Sequence, residues 1–286
     1  MESACGIRRR ACAGHHFSGH PTDLPAGTAE STIDQLALAC TLTGRPVQAL
    51  YLMRAPAGSH VSRQVAEFAQ RVKNWVRALG LAAFGQPCQL MGSGMAFPWN
   101  VIRSVDFSSG SIVEDLKLGL DLTLAGHPPL FCPSAFVSSR FAISDKGNNL
   151  QRLRWEQGHI AMILRGAPRL ARIALMRRDI ALFSLTLDLL VPPLSLFFVL
   201  LTGMLVFAGL GTLFGLSPVA LDISVINLLA FAFVIFLAWL KFGRDVLPPA
   251  AILSIPAYIF GKFGVYRQVI FGKMTAQWIR TDRTES

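Results

Sequence analysis

The sequence predicts an α/β domain followed by a helical transmembrane region, and three observations carry this. In the first half, segments with apolar residues at helical spacing alternate with short continuous apolar runs, the pattern of helices packed on a buried sheet. Beyond residue 180 two stretches are long and almost free of charge: from Ile180 to Leu221 the only charged side chain is Asp188, and from Ile223 to Leu240 there is none. Directly before them, between Arg140 and Ile180, nine Lys/Arg stand against three acids. A helix needs about 20 apolar residues to cross a hydrocarbon core of about 30 Å. Both stretches satisfy that length, and the basic band fits the positive-inside rule, which places it in the cytoplasm.

The elements follow in order. Residues 1–30 mix Arg8-Arg9-Arg10, histidines and prolines without any period, and no apolar run follows the arginines. They read as a disordered or non-native leader and not as a signal peptide. Ser31–Thr43 is predicted as a helix with Ile33, Leu36, Ala37 and Cys40 on one face, stopped by Gly44-Arg45-Pro46. Val47–Met53 is a buried strand. His60–Leu79 is a long amphipathic helix, with Gly80 at its end. Gln89–Met91 and Met95–Phe97 are short strands around Gly92-Ser93-Gly94. Ile112–Leu124 is a helix with Glu114 and Asp115 in its first turn, where carboxylates suit the dipole. Leu130–Phe131 and Ala135–Ser138 are short strands, and Asn148–Leu164 and Arg169–Arg178 are basic amphipathic helices.

The first membrane helix is predicted over Leu182–Leu210, kinked at Pro192-Pro193. Gly211–Asp222 lacks Lys and Arg and is placed outside; a second helix over Ile223–Leu240 returns to Lys241 and Arg244. Pro248–Phe260 is a short, proline-broken apolar segment; the basic tail after it favours an interfacial or re-entrant segment, with a short span as the alternative. The domain plan is therefore a leader (1–30), an α/β domain (31–145), amphipathic interfacial helices (146–180), and a transmembrane region of two spans plus a short third apolar segment (181–286).

The chain has 286 residues and a formal charge of +10. The charge sits beside the membrane segments, so membrane lipids are the expected polyanionic partner and no nucleic acid is expected. Five scattered cysteines give no disulfide framework, as suits a cytoplasmic domain. Cys5, Cys12, His15, His16 and His20 fit no regular zinc-finger spacing. A transporter is disfavoured by the α/β half and by the few polar groups in the spans.

Three features carry chemistry. Gly92-Ser93-Gly94 would let backbone approach a ligand closely, or simply form a turn. Glu114-Asp115 opens a helix; Asp115 would be a general base if it faced a cleft, and a dipole partner otherwise. Gln151-Arg152-Leu153-Arg154-Trp155 offers guanidinium forks for phosphate oxygens and an indole for a sugar face, with a basic interfacial helix as the simpler reading.

In this order, and with membrane helices directly after, the three features resemble family-2 glycosyltransferases of the cellulose, chitin and hyaluronan synthase-like kind, over roughly Val47 to Leu210. The resemblance implies a nucleotide-sugar transferase sheet domain of the A type, and an inverting transfer of sugar from a nucleotide-diphosphate donor to a polysaccharide or lipid acceptor. It implies Asp115 as the catalytic base. Among the substrate-binding set, Glu114 is the motif neighbour of Asp115 with a structural part. Gly92, Ser93 and Gly94 form the loop beside the acceptor terminus. Gln151, Arg152, Arg154 and Trp155 form the block that holds the donor diphosphate and stacks on the acceptor. A divalent metal, Mg or Mn, is expected for the family, yet no Asp-x-Asp ligand motif and no strand-end aspartate for the nucleotide occur in this chain. A truncated chain, or one needing a second chain to complete the donor site, is therefore expected. The alternative is a catalytically inactive, membrane-anchored remnant or interaction subunit.

Overall fold

The computed structural model describes residues 29–56, 58–105, 113–141 and 154–252, together with Ile255 and Ile259. The leader, Gln151, Arg152 and most of the third apolar segment lie outside the described residues.

The chain opens with helix α1 (Ala29–Thr43), followed by strand β1 (Val47–Arg54) and helix α2 (Val61–Arg71). A π-helical turn (Val72–Arg77) joins α2 to α3 (Ala78–Ala83), so the predicted helix continues past Gly80. Strand β2 (Met95–Ala96), a short helix α4 (Trp99–Ile102), helix α5 (Glu114–Leu124) and strand β3 (Leu130–Arg140) complete the α/β half.

The sheet is three-stranded in the order β2-β1-β3, with β2 antiparallel and β3 parallel to β1. β1 is buried on both faces, which is why it reads as a nearly continuous apolar run. Its alternating side chains serve two cores. Val47 and Ala49 pack with Leu36, Ala39 and Cys40 of α1. Leu50 and Leu52 face Trp75 and Ala78 on the opposite side.

Two expectations are corrected here. Leu130–Phe131 and Ala135–Ser138 belong to one strand. The register jumps from Ala49↔Cys132 to Leu50↔Phe136, so Pro133, which has no N–H to pair, sits in a bulge that masquerades as a gap in the sequence. Gln89–Met91 is no strand: Gln89 and Leu90 are buried but the segment is irregular, and the Met91 N–H is met by the Gln48 side chain instead of a ladder partner.

After β3 come helical residues 154–161 (α6), a π-helical stretch Met162–Gly166, helix α7 (Ala167–Arg177) and helix α8 (Ile180–Leu190). Arg178 turns the corner in left-handed conformation, and the Asp179 carboxylate caps α8 by accepting from the Leu182 N–H at 3.0 Å. The apolar face of α8 (Leu182, Leu185, Leu189) is buried against Leu116 and Leu120 of α5 and Leu170 and Ala174 of α7. Its other face leaves Ile180, Phe183, Leu187 and Leu190 exposed.

This corrects the first predicted membrane helix. Pro192-Pro193 does not kink a continuous span but ends α8 at Leu190, since Val191 takes the extended backbone that a following proline enforces. The spanning candidate is a new helix, α9 (Leu194–Leu213), followed by α10 (Val219–Phe242) and a turn of helix α11 (Pro249–Ile252). At 20 and 24 residues, α9 and α10 are about 30 and 36 Å long. Only 11% of each apolar window is buried. That separates them from core helices of a water-soluble domain, whose apolar faces are covered.

α9 and α10 pack as a hairpin, with Phe197 edge-on to Phe231. The connecting turn, with Phe214 and Leu216 exposed, is the far end. At the near end, Leu194 of α9 and Ala238 of α10 join the cluster of Val65 and Phe68 of α2 and Val72 of the π-helical turn. Phe242 meets Trp75 edge-on at 4.9 Å, and Gly243 lies so close to Phe68 that a Cβ would stand 2.7 Å from its ring. The exit of α10 is thus anchored on the α/β half.

Candidate active site

The site is built where α5 crosses the irregular segment 88–94. Gly119 of α5 allows the crossing: a Cβ there would meet Leu90 at 3.3 Å. One helical turn earlier on the same face stands Asp115. Its carboxylate faces Gly92, where an added Cβ would be 3.1 Å from Asp115 Oδ2. Gly92 has φ +81° and is exposed, so the space before the carboxylate is open. Asp115 is half-buried, accepts the Leu116 N–H at Oδ1 (2.8 Å), and is in no ion pair among the described residues. Val113 and Leu116 are buried on either side and fix the start of α5.

The two glycines of the loop do different work. At Gly94 (φ +68°) a Cβ would collide with Val137 Cγ2 at 2.8 Å and Ala49 Cβ at 2.9 Å, so this position serves the approach of the loop to the sheet. Gly94→Ala is expected to lower stability by about 2–4 kcal/mol, from overpacking plus the left-handed backbone. Gly92→Ala meets no such wall. Its methyl group would occupy the space before Asp115, and its expected effect is loss of activity with a smaller shift in thermal unfolding than Gly94→Ala.

Charged groups surround this point. Lys73 and Arg77 come from the π-helical turn. Arg77 pairs with Asp188 of α8, its Nε donating to Oδ1 at 2.9 Å. Lys73 is in no ion pair among the described residues. Lys73 is exposed, with Arg77, Asp115 and Asp188 as its charged neighbours. Desolvation, and then the neighbouring Arg77, pull its pKa below the ordinary lysine value; Asp115 and Asp188 act in the opposite direction.

His159 of α6 is buried, and its Nε2 lies 2.9 Å from Leu189 O, so that nitrogen carries the proton of the neutral ring. Burial, with Lys73 next in strength, pushes its pKa down to about 4. The unfolded chain then binds more protons than the folded one between that value and the ordinary 6.5. Stability should be full above about pH 6.5 and fall as the pH drops toward about 4, by up to roughly 3 kcal/mol. His159→Gln, whose amide can still donate to Leu189 O, should flatten that acid slope in thermal unfolding measured across this range.

The structure thus brings Gly92 to Asp115, with Ser93 adjoining. Glu114 is exposed at the first turn of α5 and points away from this contact by one helical position. Arg154 and Trp155 lie on α6, one turn before His159, with the Trp155 indole 40% exposed. Gln151 and Arg152 lie outside the described residues. Asp188, predicted near the inner end of a span, belongs instead to α8 and is paired.

Sequence reasoning missed Gln48, Lys73, Arg77 and His159. Gln48 had a signal, being the lone polar residue in the run Val47–Met53. The others had none, since cations on an amphipathic helix usually just face solvent.

Among the described residues no three His, Cys, Asp or Glu side chains stand together as metal ligands. Asp188 is taken up by Arg77, and Asp115 has the cation Lys73 among its charged neighbours, a donor set that does not fit a divalent cation. We therefore derive no step through a metal.

No curated protein matches the chain. The model of the group described as "Glycosyl transferase family group 2" matches residues 32–243, a region that runs from α1 to the end of α10 and takes in well over half of the chain. The chain belongs to glycosyl transferase family group 2.

Proposed function

We propose that this protein is a membrane-bound inverting glycosyltransferase, moving a sugar from a nucleotide-diphosphate donor to a polysaccharide or lipid acceptor at the cytoplasmic face of the plasma membrane. One observation carries the reading: Asp115, in no ion pair among the described residues, presents a half-buried carboxylate to the exposed backbone of Gly92, with Lys73 among its charged neighbours. A carboxylate so placed can take the proton of an acceptor hydroxyl as its oxygen attacks the anomeric carbon. Nearby cations stabilise the negative charge that develops on the departing diphosphate. Arg154 and Trp155 are assigned to the donor diphosphate and the acceptor sugar, with Gln151 and Arg152 in the same block.

The membrane placement rests on α9 and α10, on the anchoring of the α10 exit to the α/β half, and on the basic residues at that end. Exposed apolar residues on α7 and α8 beside arginines suit contact with lipid headgroups.

The test is to incubate membranes carrying the protein with a panel of tritiated nucleotide-sugars and to follow label into lipid- or glycan-bound product. Transfer from at least one donor is expected. Absence of transfer from every donor, with the folded protein present, would leave an inactive membrane-anchored subunit as the reading.

A further inference from the structure

Gln48, the second residue of β1, is a fully buried polar side chain in an otherwise largely apolar strand. It shares a face of β1 with Leu50 and Leu52, where a leucine or methionine would serve the core as well. Its amide is nonetheless satisfied, and only by backbone. Nε2 donates to Ser93 O at 2.8 Å and to Ala49 O at 2.8 Å, while Oε1 accepts the Met91 N–H at 2.8 Å. The orientation of the amide is fixed by these partners, because only its oxygen can accept from an N–H. A further clamp comes from the strand itself, where Ala49 N–H donates to Gly94 O at 2.7 Å.

These bonds bracket Gly92. Met91 before it and Ser93 after it are held by the same side chain, and Gly92 is the residue that faces Asp115 Oδ2. Without the amide, the segment 91–94 would be tied to β1 only through Gly94 and the two paired residues of β2. We propose that Gln48 is a positioning residue for sugar transfer, holding the Gly92 backbone at a fixed distance from the Asp115 carboxylate and so setting the slot that the acceptor hydroxyl enters. This rests on the proposed transferase reading. Gln48 itself is too deeply buried to touch substrate; it acts through the loop.

The test uses the full chain in lipid nanodiscs, comparing wild type with Gln48→Met, Gln48→Glu and Asp115→Asn. With the tritiated nucleotide-sugar that proves active, Gln48→Met is expected to lower kcat for transfer by about 10- to 100-fold, the loss expected of reacting groups displaced by about an ångström, with donor KM nearly unchanged. Gln48→Glu provides the signature that a structural role would not give. As a carboxylate it repels Ser93 O, whereas as a neutral acid it donates there again. Its activity relative to wild type at the same pH should therefore recover from about pH 8 to about pH 5, with no such recovery for Gln48→Met. Gln48→Met with wild-type kcat, or a loss in which donor KM rises in step and Gln48→Glu shows no recovery, would overturn the proposal.

A second arm needs no activity. Amide hydrogen exchange at Met91 should be at least about tenfold faster in Gln48→Met than in wild type, as for a lost buried hydrogen bond, with α5 and β3 unchanged. Equal exchange would also overturn the proposal. If even wild type transfers no label but exchange at Met91 responds, the transferase reading fails and the loop clamp stands; if Asp115→Asn alone keeps full activity, the base assignment fails.

Discussion

Asp115→Asn is expected to abolish sugar transfer, lowering kcat by about two to four powers of ten, the usual contribution of a positioned general base. The substitution isolates that chemistry unusually well. The one hydrogen bond that Asp115 makes among the described residues is accepted by Oδ1 from the Leu116 N–H, and an asparagine Oδ1 accepts it equally. No ion pair is broken and no volume changes. Thermal unfolding should therefore move little while activity disappears, and donor binding measured by displacement of labelled nucleotide should persist. Wild-type turnover by Asp115→Asn would remove Asp115 from the role of base.

The largest loss of stability should follow Arg71→Met. Arg71 is almost wholly buried and donates three times: to Glu67 Oε1 at 2.9 Å, to Asp245 Oδ1 at 2.8 Å and to the Phe242 carbonyl at 3.1 Å. Glu67 is equally buried and also accepts the Ala55 N–H. Removing one partner of a buried pair leaves an uncompensated charge, at a cost of about 3–5 kcal/mol. Because Phe242 closes α10, the same change loosens the end of a candidate spanning helix from the α/β half. In detergent-solubilised protein the midpoint should fall by roughly 10 °C. The double substitution Arg71→Met with Glu67→Gln should recover much of it, since the stranded carboxylate is gone. Asp245 is far more exposed, so Asp245→Asn should cost much less.

These two residues differ in how visible they were. Asp115 stood out in the sequence because a carboxylate pair opened a helix between a glycine loop and a basic block. Arg71 did not. An arginine on an amphipathic helix reads as solvent-facing, and nothing local announces that a helix end 171 residues later will cover it. His159 was hidden for the same reason: its depressed pKa comes from burial and from a lysine on a distant helix. Gln48 was legible only as an oddity, a polar residue in an apolar run whose partners in the glycine loop, Met91 and Ser93, lie more than 40 residues away.

The sequence by itself determined the class of the fold, the buried strand at Val47, the helices around it and the two apolar segments. These follow from periodicity and length, which are local properties of the chain. The proline pair announced an interruption, but not whether it would bend a span or end a helix. Tertiary structure decided that, because α8 buries Leu182, Leu185 and Leu189 against α5 and α7 and so leaves the candidate membrane span to begin at Leu194. It also decided which glycine meets the carboxylate and which meets the sheet. Both have the same composition and the same left-handed backbone, and only what packs against each distinguishes them.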